Sequence, residues 1–285
     1  MEPGGGVFNA KTFFAGRFRR IILPMWITLI LNMILRTIFG LAMEWKGFLT
    51  CFFNLQGVSF ILLDFKISCV SGLGQTWFLT VIIICYVFTY FLKKHSAAEE
   101  KIIAHWKIWL SAALILQIVL AYIGIQISYF LEFFIGYFLA KIKIEKNTGL
   151  AVKITCCTVL CCIIRVLARK SIDGTIFYDH VIARISFNVL ALWIVLFQVY
   201  LCKKYKNFFD NLADSKIWRV MDIMSFPMYL CHYMFCAGEL AVVHWCNGNA
   251  WQIVLFSVFT IVMAGIVVLF TDRKKMADLL GLDKL

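Results

Sequence analysis

The sequence is poor in charged residues and in proline. Charged residues make up 15% of the 285 residues, against about 25% in a soluble globular domain, and there are only 3 prolines. Disordered chains are rich in both, so these shortages exclude a disordered protein. The apolar fraction of 62% is more than a soluble fold of this size can bury. These values, with a mean hydropathy of +0.85, predict an all-α, polytopic transmembrane helix bundle.

The basic residues are distributed in a way that argues against nucleic-acid binding. The net charge is +12, from 28 Lys and Arg against 16 Asp and Glu. A nucleic-acid surface gathers its cations on one polar domain, and the sequence shows no such domain. The cations form short clusters between long apolar runs, which is typical of charges that orient membrane spans. We therefore expect membrane lipid, and no nucleic acid, as a partner.

The cysteines do not follow a metal-binding pattern. Of the 11 cysteines, four lie in one apolar run, at Cys156, Cys157, Cys161 and Cys162. Their spacing matches neither C-x-x-C nor a zinc site, and no His lies beside them. The sequence also lacks an H-E-x-x-H motif and a glycine loop that would hold phosphate. We interpret these four cysteines as small apolar helix residues, and we predict no metal site and no bound cofactor.

Eight apolar runs approach the length of about 20 residues that a helix needs to cross a bilayer. The predicted spans are Ile21–Met43, Trp77–Leu92, Ile108–Ile125, Ser128–Ala140, Leu150–Leu167, Val181–Cys202, Ile223–Val243 and Trp251–Phe270. A further run, Phe48–Leu63, is interrupted by polar residues, and we interpret it as an interfacial or re-entrant segment.

The loop charges fix an orientation for these spans. Most of the Lys and Arg residues fall in alternate loops and at both ends of the chain, which places both termini in the cytoplasm. We expect one membrane domain over residues 1–285. Residues 272–285 carry apolar residues at helical spacing among charges and predict an amphipathic cytoplasmic tail.

A basic cluster leads directly into the first predicted span. Arg17 and Arg20 are three residues apart, so on an α-helix they project from one face, and Pro24 follows. One interpretation is a topology anchor. The other is an anion clamp, in which two guanidinium groups bind a phosphate.

Several segments, in this order, resemble the acyltransferase 3 family of membrane O-acyltransferases. Arg17-x-x-Arg20 before Pro24 resembles the family's opening motif. Trp77-Phe78-Leu79 resembles its H-L-W-F-L entry to the next span, with Gln75 or Thr76 in place of His. The remaining matches are Phe133-Phe134-Ile135-Gly136-Tyr137, Ser225 with Tyr229-Leu230-Cys231-His232, and the basic tail from Lys274.

The resemblance implies an activity and a location. The implied reaction moves an acyl group, specifically acetyl, from acyl-CoA as co-substrate to a hydroxyl of a cell-surface or exported carbohydrate. The implied location is the bacterial cytoplasmic membrane. Family domains usually carry two further N-terminal spans, the first with a His taken to be catalytic, and neither is found here. We therefore expect an N-terminally incomplete member that transfers acyl groups poorly.

Four residues are candidates for the chemistry, each with an alternative interpretation. His232 is either a proton relay near the transfer site or a structural histidine. Glu132 is either catalytic or a neutral partner in a helix–helix hydrogen bond. Arg36 either extends to the outer interface or faces the bundle, where Glu132 or a sugar could pair with it. Trp77 is either an interfacial residue or a surface on which a substrate stacks.

Two other functions stay open from the sequence alone. The first is a transporter or flippase of a glycan precursor, although the spans show no inverted repeat and no pairs of broken helices. The second is an inactive remnant that retains only the scaffold.

Overall fold

The computed structural model describes residues 9–62, 65–139, 148–175, 177–246 and 251–272. These ranges are helical and contain no β-strand, which confirms the predicted all-α membrane fold. The helices are α1 Ala10–Arg17, α2 Leu23–Ile38, α3 Trp45–Phe52, α4 Val58–Ile61, α5 Trp77–Lys94, α6 Ser96–Ala104, α7 Trp106–Tyr122, α8 Ser128–Leu139, α9 Thr148–Ile172, α10 Ala183–Lys204, α11 Lys206–Asp214, α12 Lys216–Cys236, α13 Val243–Cys246 and α14 Trp251–Thr271.

Each predicted span overlaps one of these helices, but fewer of them are long and apolar enough to cross a membrane. Within the described ranges, four continuous helical segments meet both conditions. They are Ala10–Ile38, Gly74–Lys94, Phe177–Lys204 and Trp251–Thr271. The bent pair α6 and α7 adds a fifth if it counts as one span. The number eight and the cytoplasmic termini therefore stay predictions.

Three predicted spans extend past the ends of their helices. The prediction Ile108–Ile125 overruns α7, which ends at Tyr122, by three residues. The prediction Ile21–Met43 overruns α2, because Gly40 adopts φ +66 and the amide of Leu41 closes the helix on the Arg36 carbonyl at 2.8 Å. The prediction Ile223–Val243 overruns α12, because Ala237 is extended. The run Phe48–Leu63 contains the end of α3 and the short α4, and its polar residues break it as expected.

The chain divides into two compact units. The first comprises residues 1–58, 67–80 and 207–285. Its described core is formed by α2, α12 and α14, which pack against one another. Met25, Leu29, Leu230, Met234 and Val267 have no exposed surface in that core. Because lipid is as apolar as these side chains, close packing stabilises such a bundle more than the hydrophobic effect does.

The second unit comprises residues 59–66 and 81–206. In it, α10 packs against α8 and α9. The guanidinium of Arg165 lies 4.0 Å from the ring centre of Phe187, and Trp193 donates a hydrogen bond to Thr155 at 3.0 Å. Both contacts join α9 to α10. The four cysteines of the 156–162 run lie on α9.

The predicted amphipathic tail lies, from Arg273 onward, outside the described residues. The division into two units concerns compactness, and the single membrane domain over 1–285 stays a prediction.

Candidate functional site

The segment predicted to bind the phosphates of the acyl donor, which contains Arg17 and Arg20, lies at the junction of α1 and α2. Asn9 caps α1, and its side-chain oxygen accepts from the amides of Lys11 and Thr12 at 2.9 and 3.3 Å. A π-helical turn, Phe18–Ile22, connects α1 to α2 without a break in the helix. The basic cluster therefore lies on a continuous helical segment that leads into the core of the first unit.

Pro24 accounts for the wider turn. In an α-helix its nitrogen would bond the carbonyl of Arg20, but proline has no N–H and its ring collides with that carbonyl. The wider turn relieves the collision, and Leu23 donates instead to the carbonyl of Phe18, five residues back. Such π-turns occur frequently at functional sites.

The two predicted anion-binding arginines differ in environment. Arg17 is half-buried, and its guanidinium lies 4.6 Å from the ring centre of Phe13. Arg20 is exposed in the π-turn, as is Arg19. The prediction of one shared face assumed α-helical spacing, which ends at Arg17. Phosphate binding by this pair stays a prediction.

Helix α2 connects this segment to α12, which carries His232. Thr28 Oγ1 lies 4.0 Å from Cys231 Sγ, and both side chains are buried. At 1.5 Å per residue, Arg20 precedes this contact by about 12 Å along the helix axis. The helical segment that carries the basic cluster and the helix that carries His232 therefore contact each other within the first unit.

Two segments of the family-like pattern meet in space although about half the chain separates them. The Gln75 amide donates to the Leu230 carbonyl at 2.9 Å, and the Tyr229 hydroxyl donates to the Gln75 carbonyl at 3.1 Å. Phe78 contacts Tyr229 edge to face, with ring centres 4.9 Å apart. We call Gln75, Phe78, Tyr229 and His232 the His232 cluster. The sequence indicated these motifs but not their contact.

Trp77 lies at the edge of this cluster. It begins α5 directly after the 3₁₀ turn Gly74–Thr76 and is half-buried. Its neighbours Gln75 and Phe78 both contact α12 residues. Its role in substrate stacking stays a prediction.

The orientation of the His232 ring follows from its hydrogen bond. Nδ1 lies 2.7 Å from the carbonyl oxygen of Tyr229. A carbonyl can only accept, so Nδ1 carries the hydrogen, and in the neutral ring Nε2 presents a lone pair. Nε2 has no hydrogen-bond partner within the described residues, and the side chain is partly exposed. The ring is therefore held at one nitrogen and open at the other, as a general base requires.

Arg36 lies near the end of α2 in a second polar cluster. Only 1% of its side chain is exposed, so it does not extend to an interface in the manner of a lipid-facing residue. Its guanidinium contacts Glu44 at 2.9 Å and Glu239 at 2.5 Å, and it donates to the Ala42 carbonyl. Glu44 also accepts from the amide of Ser71 at 2.9 Å. We call Arg36, Glu44 and Glu239 the Arg36 cluster.

Neither carboxylate of the Arg36 cluster was predicted from the sequence. A signal was available, because an arginine within a span requires an anionic partner, and Glu44 follows Arg36 by eight residues along the chain. Nothing in the sequence pointed to Glu239, which belongs to the loop after α12.

The Arg36 cluster also has unused hydrogen-bonding capacity. Within the described residues, Arg36 Nη1 and both side-chain atoms of Asn32 are buried without a partner. Asn32 precedes Arg36 by one turn of α2 and has no exposed surface. Buried polar groups normally have partners, so these atoms could bind a polar group that the described chain does not supply.

Glu132 belongs to the second unit. It is half-buried on α8, and the Asn188 amide of α10, oriented with its nitrogen toward the acceptors, donates to its carboxylate at 2.6 Å. The guanidinium of Arg184 lies 4.9 Å from the ring centre of Tyr129, one turn before Glu132. These contacts fit the interpretation of a helix–helix hydrogen bond, and catalysis by Glu132 stays a prediction.

The family-like segment Phe133–Tyr137 also lies on α8. Phe133 contacts Tyr86 of α5 edge to face at 5.9 Å, and the Tyr137 hydroxyl donates to Glu99 at 2.5 Å. These contacts give the segment a packing role within the second unit.

A comparison with models of protein families shows to which family the chain belongs. The model of the acyltransferase 3 family, described as an acyltransferase domain, matches residues 5–274. The chain belongs to the acyltransferase 3 family. The comparisons with curated proteins and with solved structures found no match. This membership confirms the resemblance and supports a membrane acyltransferase in general terms.

The acyltransferase 3 match covers both polar clusters of the first unit and the basic segment before α2. It assigns no role to any residue, so the roles of Arg17, Arg20, Trp77 and His232 stay predictions.

Proposed function

We propose that this acyltransferase moves an acyl group, specifically acetyl, from acyl-CoA to a hydroxyl of a cell-surface or exported carbohydrate. The observation that carries the proposal is the His232 ring, which is held through Nδ1 and open at Nε2. The ring lies on α12, which packs against α2. Helix α2 in turn follows the basic segment of the family motif directly along the chain.

The donor side of the proposal rests on Arg17 and Arg20. An acyl-CoA carries its phosphates at one end and its thioester at the other, separated by a flexible arm. Phosphates bound at the two guanidinium groups would leave the arm to follow α2 toward the contact of Thr28 with Cys231. The thioester would then reach the level of Cys231 on α12, and His232 is the next residue of that helix.

The transfer step needs a proton acceptor and a polarised carbonyl. In the proposed step, Nε2 of His232 takes the proton of the carbohydrate hydroxyl while the hydroxyl oxygen attacks the carbonyl carbon of the thioester. The carbon–sulfur bond then breaks, an oxygen ester forms, and the CoA thiolate takes the proton from the imidazolium. The hydrogen bond from Nδ1 to the Tyr229 carbonyl keeps the ring in the tautomer that this step requires.

The acceptor side of the proposal uses Trp77 and Arg36. A tryptophan ring offers an apolar face on which a sugar can stack. The buried Nη1 of Arg36 could donate to a sugar hydroxyl, because its other nitrogens already bind Glu44, Glu239 and the Ala42 carbonyl. In this arrangement the carboxylates orient Arg36 and the sugar supplies its missing partner.

We further propose that the chain resides as a multi-pass protein in a bacterial cytoplasmic membrane, where it would meet cytoplasmic acyl-CoA and an exported glycan. Family membership favours acyl transfer over the transporter or flippase alternative.

A transfer assay tests the proposed reaction. Membranes containing the chain would receive acetyl-CoA labelled in the acetyl group and a bacterial polysaccharide acceptor. We expect label in the polysaccharide as an ester that mild alkali releases. Membranes without the chain provide the background. Inserted protein without transfer above that background would contradict the proposal.

A further inference from the structure

Two cysteines outside the sites described above lie in contact. Cys51 is on α3, and Cys69 lies in the segment that precedes the His232 cluster. Their sulfur atoms are 3.3 Å apart, Cys51 has no exposed surface, and Cys69 is half-buried. Both belong to the first unit.

The backbone of α3 lies close to the backbone of the segment that carries Cys69. A side chain at Gly47 would place its Cβ 2.7 Å from the amide nitrogen of Val70 and 2.8 Å from the carbonyl carbon of Cys69, so α3 contacts this segment backbone to backbone. Cys51 follows Gly47 by one helical turn and lies on the same face. One turn before Gly47, Glu44 accepts from the amide of Ser71. Three successive contacts thus align α3 with residues 69–71, and the sulfur pair is one end of this alignment.

The two thiols also share a hydrogen bond. It lowers the pKa of the Cys51 thiol and raises the pKa of the Cys69 thiol. The pair therefore gives up its first proton more readily than its second. The thiolate formed in this way is the species that attacks a disulfide.

The predicted topology places both cysteines on the outer side of the membrane. They lie between the first two predicted spans, opposite the predicted cytoplasmic termini, in a connection with few basic residues. Cys51 belongs to the run Phe48–Leu63 that we interpret as interfacial or re-entrant, and Cys69 follows that run. Disulfide bonds persist in the compartments outside the cytoplasmic membrane.

We propose that Cys51 and Cys69 form a disulfide bond that fastens α3 to the segment carrying Gln75 and Trp77. The oxidant is a protein or small-molecule disulfide outside the cytoplasm. One thiolate of the pair attacks a sulfur of the oxidant, forms a mixed disulfide and releases one thiol. The second thiolate attacks the mixed disulfide, closes the Cys51–Cys69 bond and releases the other thiol. The oxidant takes up the two electrons and the two protons that the cysteines lose.

The bond requires a movement of little more than 1 Å. A disulfide has a sulfur–sulfur distance of about 2.0 Å, and the two sulfurs already touch. The bond would restrain the backbone just before the His232 cluster. Gln75 and Phe78 follow Cys69 along the chain and contact Tyr229 and Leu230.

Counting free thiols tests the proposal without depending on activity. The full chain would be denatured directly from cells in the presence of a polyethylene-glycol maleimide, with and without prior reduction. The reduced chain carries eleven thiols, and the unreduced chain should gain two fewer adducts. Peptide mapping of the unreduced chain should recover the peptides of Cys51 and Cys69 joined. Equal adduct numbers with and without reduction would overturn the proposal.

Single variants identify the pair. Cys51→Ser or Cys69→Ser should abolish the difference between reduced and unreduced chains, even if the variant folds poorly, because the count is made on denatured protein. Cys202→Ser is the matched control, since Cys202 is exposed on α10 and should leave a difference of two. A difference of two that survives Cys51→Ser would assign the bond to other cysteines and overturn the proposal.

Discussion

The guanidinium of Arg36 lies 2.9 Å from the carboxylate of Glu44, and only 1% of the Arg36 side chain is exposed. Glu239 provides a second carboxylate at 2.5 Å. A buried arginine is tolerated only when its charge is paired and its donors are bonded, and two carboxylates and a backbone carbonyl meet most of that requirement here. The pairing joins the end of α2 to the start of α3 and to the loop after α12.

Removal of the arginine should destabilise the first unit. Arg36→Met retains the volume but leaves Glu44 and Glu239 facing each other without a cation. Loss of one partner from a buried ion pair costs about 3–5 kcal/mol, and partial exposure of the carboxylates places this case toward the lower end. The measurement is the unfolding free energy of the purified protein in detergent.

The triple variant Arg36→Met, Glu44→Gln, Glu239→Gln is the control for this prediction, because it removes the uncompensated charges. It should recover part of the lost stability. A triple variant no more stable than Arg36→Met alone would show that charge pairing is not the cause.

Local sequence patterns predicted most helices because each depends on neighbours along the chain. The apolar run that begins at Ile21 predicted α2, and the polar residues of Phe48–Leu63 indicated a broken segment. The end of α2 was predicted too late, because a single positive-φ glycine at position 40 outweighs the apolar residues after it.

The site could be predicted only in pieces. The Gln75 and Tyr229 motifs were each visible, but 154 residues separate the partners of their hydrogen bond, and one sequence carries no information about that contact. Glu239 was missed for the same reason. His232 was found as a candidate, but the hydrogen bond that fixes its tautomer depends on the side-chain rotamer, which the sequence does not reveal.

A side chain at Gly57 should destabilise the protein. A Cβ there would lie 2.2 Å from the Trp77 carbonyl oxygen and 2.6 Å from Thr80 Cβ, and the Gly57 amide donates to Thr80 at 2.9 Å. Gly57→Ala must therefore displace the start of α5. Overpacking of this kind costs about 1–3 kcal/mol, which should appear as a lower thermal unfolding temperature.

Gly265→Ala is the matched control for Gly57→Ala. Gly265 lies within α14, and a Cβ there would meet no heavy atom within 4 Å. Alanine is favoured over glycine inside a helix, so this variant should be neutral or stabilised by roughly 0.5–1 kcal/mol. Equal behaviour of the two variants would contradict the assigned contact at Gly57.

Loss of the paired arginines should weaken donor binding. Arg17→Ala and Arg20→Ala should each cost about 1.5–3 kcal/mol of acyl-CoA affinity, the range for hydrogen bonds to charged groups. Lysine at either position should recover only part of the loss, because an ammonium keeps the positive charge but cannot form the guanidinium fork. Titration of the purified protein with acetyl-CoA measures the effect.

Arg19→Ala controls for net charge in the same segment, because Arg19 is an exposed arginine of the π-turn outside the predicted pair. It should bind acyl-CoA nearly as the unaltered chain does. A loss of affinity equal to that of Arg20→Ala would show that Arg17 and Arg20 act only through general electrostatic attraction.

The orientation of the chain is open to direct measurement. Reporters fused to either terminus should be active in the cytoplasm, and a reporter inserted at Gly174, between α9 and the π-helix Phe177–Ile182, should be active outside it. The charge distribution between loops is the reason for this expectation. Termini on opposite sides of the membrane would exclude an even number of spans, and with it the predicted eight.

Two substitutions at His232 separate a base from a structural histidine. His232→Asn places an amide nitrogen near the position of Nδ1, so it can still donate to the Tyr229 carbonyl, but it has nothing at the position of Nε2. If His232 is the base, this variant should fold as the unaltered chain does and lose about 10²–10⁴-fold in turnover, the usual contribution of a general base. His232→Ala should lose the same turnover and also some thermal stability. His105→Gln, at an exposed position after α6, should change neither. Unchanged acetyl transfer by a well-folded His232→Asn variant would assign His232 to the scaffold, and the proton acceptor would then have to be sought elsewhere.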